Sequence, residues 1–236
     1  MGKVGRPPVD PARQAERAHR ILDAAAELIL RWGYDKTTID DVARRAEVSK
    51  GTIYLHWRTR DDLFAALLRR ERVHMVAEVR RREPATPSAL FGEVTRAMSR
   101  RPLLRAVLSG DSEVLGKLTR QKLRGGGGLA ADEVLDGYLA ELIRLGAVRE
   151  EPGDHARVIN SIVYGFLMLP GAASLSSDRI ADLVADTVER VMSPGREPSA
   201  EQAAAVARAT LGFVDALEEL ARRKLADSLG SKERAK

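Results

Sequence analysis

Between residues 37 and 60 the chain gathers hydroxyls, one amine, an imidazole and a guanidinium: Thr37, Thr38, Ser49, Lys50, Thr52, Tyr54, His56 and Arg60. Donors and cations of this kind bind phosphate oxygens and base edges; they form neither a proton-transfer pair nor a metal shell. Enzyme chemistry finds little support elsewhere. The chain has no cysteine and four scattered histidines, which excludes disulfides, thiolate zinc sites, iron–sulfur clusters and cysteine nucleophiles and argues against a zinc enzyme. No carboxylate pair on a pocket wall and no nucleophile elbow can be found, and Glu150-Glu151 precedes Pro152 in a turn-like stretch. The glycine run 125–128 lacks the Gly-Lys-Ser/Thr of a phosphate loop and, preceded by Lys117, Arg120, Lys122 and Arg124, reads as a mobile surface loop. The expectation is a protein that is not an enzyme and needs no cofactor.

The elements that must position these residues are helical. Hydrophobic residues make up 44% and charged residues 31% of the chain with only 4% aromatic, a composition of helices rather than sheets. Ala15, Ala18, Ile21, Leu22, Ala25, Leu28, Ile29 and Trp32 recur at spacings of three and four, which predicts a helix over 12–32 ended by Gly33. Thr38, with Asp41 three residues on, predicts the cap of a second helix, and Ser49 that of a third running to Tyr54 or Leu55. Only Ala46-Glu47-Val48 separates the two, so they read as a helix-turn-helix. A fourth helix is expected from Thr59–Asp61 to Pro84, and further helices over 87–100, 102–109, 111–123, 129–146, 153–170, 177–192 and 199–228.

Residues 21 to 68 carry Ile21-Leu22-x-Ala24-Ala25-x-x-Leu28, Gly33-Tyr34-x-x-Thr37-Thr38, Ile39-x-x-Val42-Ala43, Ala46-x-Val48-Ser49-x-Gly51-Thr52-Ile53-Tyr54-x-His56-Trp57 and Asp62-Leu63. Together these motifs resemble the DNA-binding domain of the TetR family of bacterial transcriptional regulators. The residues themselves agree: a seven-residue third helix, about 10 Å long, fits a DNA major groove. Gly51 lets its backbone approach closely, and Ser49, Lys50, Thr52 and Tyr54 are in reach of phosphates or bases, whereas Ile53 and Trp57 belong to the core. Thr37 and Thr38 are equally readable as helix caps or as backbone contacts, and His56 as a DNA contact or a surface residue. The chain departs from the family pattern at Glu47, where many members have glycine, and at Arg60, where lysine is usual. A left-handed turn at Glu47 would cost about 1 kcal/mol, unless the turn is of another type. Arg60 keeps the charge a phosphate contact needs.

The resemblance also implies a homodimer through two late helices and a small-molecule pocket among the central ones. Val158, Ile162 and Phe166, then Ile180, Val184 and Val188, form two stripes suited to a four-helix bundle, or to an internal core. His74, Tyr138, Asn160 and Tyr164 are polar groups on apolar stripes and are candidates for the pocket. The extra helix 199–228 either extends the interface or covers the pocket.

The expected layout is all-α: a flexible basic arm over 1–11, a helix-turn-helix domain over 12–58, a ligand-binding and dimerisation domain over 59–198, and an additional helix and tail over 199–236. Residues 1–82 carry 18 Lys+Arg against 12 Asp+Glu while the rest is nearly neutral, which places the nucleic-acid partner at the front. Arg6, in Gly5-Arg6-Pro7, resembles the core of an AT-hook and adds a minor-groove contact to the list. No run of 18 apolar residues and no secretory signal is present, so a cytoplasmic protein without a membrane partner is expected. The expected partners are a palindromic double-stranded operator, a second copy of the chain and a small effector. The reading is of a ligand-released repressor; the alternative is a weakly specific architectural DNA-binding protein.

Overall fold

The computed structural model describes residues 11–109, 128–150, 153–168 and 175–229. Arg6 and the arm, the expected helix 111–123 and most of the glycine run lie outside them. Every regular element among the described residues is an α-helix. They are α1 (Pro11–Trp32), α2 (Ile39–Arg45), α3 (Lys50–His56), α4 (Arg60–Arg81), α5 (Pro87–Ser99), α6 (Pro102–Ser109), α7 (Gly128–Arg144), α8 (His155–Met168), α9 (Ser177–Met192) and α10 (Ala200–Leu229). The bounds follow local chemistry. Thr38 and Thr59 each close a capping box, with Asp41 and Asp62 respectively, and Ser49, Thr86 and Ser176 cap α3, α5 and α9.

Two apolar cores result. In the first, Ile21, Leu22 and Ala25 of α1 meet Val42 of α2, Ile53 and Trp57 around α3, and Leu63, Phe64 and Leu67 of α4. Leu103 and Ala106 of α6 join it, so packing around the helix-turn-helix runs past residue 58 into the next part of the chain. The second core lies among α5, α7, α8, α9 and α10 and the far end of α4. Within it α5 packs closely on α9. A Cβ at Gly92 would stand 3.1 Å from both the Ala181 carbonyl oxygen and the Ala185 Cβ, so glycine here permits backbone contact between the helices.

That contact corrects one expectation. Ile180, Val184 and Val188 are buried inside the single chain, on the helix that packs against α5, and are not available to a partner. Val158, Ile162 and Phe166 of α8 remain partly exposed. An amphipathic stripe states that a face is covered, not by which chain.

Glu47, in the turn between α2 and α3, has φ 55°. The left-handed turn is therefore real, and Val48 N–H donates to the Ala43 carbonyl at 2.9 Å across it. Glu47→Gly is expected to raise stability by about 1 kcal/mol in urea unfolding, because glycine has no Cβ to clash with the following carbonyl. An unchanged or lowered midpoint would show that the glutamate side chain compensates the strain.

Candidate nucleic-acid interface

The turn brings the beginnings of α2 and α3 to one surface above the first core. Ser49 Oγ accepts from Thr52 N–H at 3.1 Å and lies 2.9 Å from Thr52 Oγ1, so the two hydroxyls share the first turn of α3. A Cβ on Gly51 would meet nothing in the chain nearer than Ser49 Oγ at 3.7 Å; the glycine is not required by internal packing and leaves the helix surface bare. Tyr54 is 45% exposed while Ile53 and Trp57 are buried, so α3 divides into an outer polar face and an inner apolar one. His56 is half-buried, its ring 5.3 Å from that of Trp57. Thr38 is exposed, and its hydroxyl caps α2 through Asp41 N–H at 3.2 Å. Hydrogen bonds from Thr38, with Arg44 alongside, hold the Asp41 carboxyl below its ordinary range.

Two residues do not stand where the sequence placed them. Thr37 is fully buried, and its hydroxyl donates to the Gly33 carbonyl at 2.8 Å. Its side chain thus locks the end of α1 and does not reach DNA. Arg60 turns inward: its guanidinium lies 4.1 Å from the Tyr34 ring centre and donates to the carbonyls of Thr37 at 3.1 Å and Tyr34 at 3.5 Å. The planar fork that a lysine lacks finds an aromatic face and two acceptors in its own domain. Tyr34 is held from the other side, donating its hydroxyl to Asp61 and meeting Phe64 edge-on at 4.8 Å. Burial, with that bond, pushes the Tyr34 phenol up to about 12, so it remains a donor at any physiological pH.

Asp40 is a residue that sequence reasoning missed: its carboxylate pairs with Lys50 across the turn. The signal was available, an acid at the start of one helix facing the first residue of the next, but the pairing depends on the turn's geometry. Tyr34, which entered the sequence analysis through the family likeness alone, was not legible as the seat of Arg60.

The pocket candidates do not converge. Tyr138 is buried, stacked on Phe213 with ring centres 4.5 Å apart, and its hydroxyl is 2.9 Å from Thr210 Oγ1. It is a packing residue between α7 and α10, with burial raising its pKa. His74, Asn160 and Tyr164 are exposed on α4 and α8. A cavity of about 310 Å³ lies elsewhere, lined by Ser99, Arg105, Leu167, Leu175, Ser176, Ser177 and Ile180. Among the described residues no His/Asp/Glu group could hold a metal, and no helix is long and apolar enough to cross a membrane.

Residues 21–67 match the family model for bacterial regulatory proteins of the tetR family. The transcriptional repressor KstR of Mycolicibacterium smegmatis is 29% identical over 160 residues, which is 63% of this chain and 74% of that protein. The fatty acid metabolism regulator protein of Bacillus subtilis is 25% identical over 178 residues, 70% of this chain and 87% of that one. Among solved structures, a TetR-family regulator from Rhodococcus sp. superposes with a TM-score of 0.60 at 21% identity, covering 76% of this chain and all of the other, a likeness of fold alone.

Proposed function

Given that the chain is a member of the TetR family, a DNA-binding transcriptional regulator and not an enzyme, we propose that it is a homodimeric repressor released from a palindromic operator by a small molecule. The observation that carries this is the outer face of α3 with its approach: Thr38, Ser49, Lys50 and Tyr54 are exposed, Thr52 and His56 partly so, and Gly51 is bare, all over a sealed core. Ser49, Lys50 and Thr38 contact phosphates, and Thr52, Tyr54 and His56 meet base edges. Relatives named repressors support repression as the output. The site of action is the cytoplasm, where the DNA is.

The partner subunit docks on α8, where Val158, Ile162 and Phe166 are partly exposed beside Tyr164, itself 45% exposed. The effector enters the cavity at Arg105. Arg105 stands on α6 between Leu103 and Ala106, which pack in the core of the helix-turn-helix. A molecule that shifts α6 therefore shifts the platform of α3.

Selection of genomic fragments by the purified protein tests the reading. A recurrent two-fold motif with half-sites about one helical turn apart is expected; recovery of fragments without a common motif would sink it in favour of weakly specific binding. With that operator in hand, Lys50→Ala should weaken operator and random DNA about equally and lessen the salt slope by about 1. Tyr54→Ala should instead change the preferred base, by about 1–3 kcal/mol at the affected pair. Equal loss for Tyr54→Ala on operator and random DNA would reject base reading.

A further inference from the structure

The 30-residue helix α10 packs within the chain along α4, antiparallel to it. Asp215 pairs with Arg80 at 2.5 Å near the far end of α4, and Ser228 accepts from Arg69 at the middle of α4. The front half of α10 is fastened to the second core, through Gln202 to the Leu145 carbonyl at 2.7 Å, Thr210 to Tyr138, and Phe213 on the Tyr138 ring. Its last residues are fastened elsewhere. Leu229 packs against the core of the helix-turn-helix, with Ser228 buried beside it. One unbroken helix thus touches both cores.

We propose that the end of α10, through Leu229 and Ser228, is a positioning element that fixes the direction in which α3 is presented and so sets the half-site spacing a dimer accepts. This rests on the dimeric, operator-binding reading given above. α4, with 22 residues, is about 33 Å long, and a 10° swing at one end displaces the other by roughly 6 Å. Successive base pairs are about 3.4 Å apart, so such a swing is enough to change register by a base pair. A second helix laid along the later half of α4, pinned at Arg80 and Arg69 and seated through Leu229 on the first core, resists that swing, because bending would have to slide one packed surface over the other. Arg70 of α4, bonded to the His19 carbonyl at 3.0 Å and to Asp23 at 2.7 Å, ties α1 to the same beam. The direction of α1–α3 then follows the pair α4–α10.

The test uses the tightest palindrome from the genomic selection, rebuilt with one base pair removed, one added and two added between half-sites. The full chain is expected to prefer the natural spacing at least tenfold. A chain ending at Arg222 loses Leu225, Ser228 and Leu229 while keeping the Thr210, Phe213 and Asp215 anchors. Its discrimination should fall below threefold, with affinity for an isolated half-site and its salt slope unchanged. Arg69→Ala and Leu229→Asp in the full chain should shift in the same direction, and Leu229→Met should retain the preference. These point variants decide the matter if the shortened chain does not fold. Full discrimination in folded variants would overturn the proposal, whereas loss confined to the isolated half-site would mean that α10 merely stabilises the DNA-binding core. If the full chain itself shows no preference for a palindrome, the operator reading falls and this inference falls with it.

Discussion

Phe166→Glu is expected to yield a folded monomer, and Val184→Glu an unfolded chain. Both residues lie on late-helix stripes of similar appearance, but Val184 is fully buried within the chain and Phe166 is only partly covered. A glutamate at 184 would place a carboxylate, without a partner, in the buried core beneath the α5–α9 contact. The loss of packing and the uncompensated charge together cost about 5 kcal/mol, comparable with the whole stability of an ordinary domain. At 166 the new charge reaches solvent in the monomer and is trapped only if two α8 helices meet. Separated subunits lose the gain from joining two half-sites, so affinity for a palindrome should drop by about 10² to 10⁴. Sedimentation, circular dichroism and operator titration check the pair. A dimeric Phe166→Glu protein would remove α8 from the interface.

Arg60→Ala is expected to lower stability by about 2 kcal/mol and operator affinity by about tenfold, while leaving the salt slope unaltered. The stability term combines the lost stack on Tyr34 with two carbonyls deprived of a charged donor. Affinity falls because the loop that delivers Thr38 to the surface is released, not because a phosphate contact is gone. Arg60→Lys should recover little, since an ammonium cannot both lie on the ring and fork to two oxygens. A slope lessened by about 1, with stability intact, would return Arg60 to the DNA backbone.

The amino-terminal third was largely readable before folding because its signals are local. Caps such as Thr38, Ser49 and Thr59 act on backbone groups two or three residues away, so their outcome needs no tertiary partner. The alternation of Ile53 and Trp57 with Thr52 and Tyr54 separates inner from outer face at helical spacing, and the structure repeats it. Glu47 shows the limit of local signals: its left-handed φ depends on how the chain crosses from α2 to α3, which composition leaves open.

By itself, the amino-acid sequence determined an all-helical chain, most helix bounds within a few residues, and the outer face of α3, through short-range hydrogen bonding and periodicity. Only the tertiary structure decided which surface covers each stripe. Ile180, Val184 and Val188 are buried within the chain itself, Arg60 enters a ring face rather than a groove, Tyr138 joins α10, and α10 reaches back to the first core. The reason is physical. The hydrophobic effect rewards removal of apolar area from water without regard to which element removes it, so a stripe carries no address. A long polar side chain likewise takes the best acceptor within its reach, and what is within reach is settled by contacts between residues such as Arg69 and Ser228 that stand far apart along the chain.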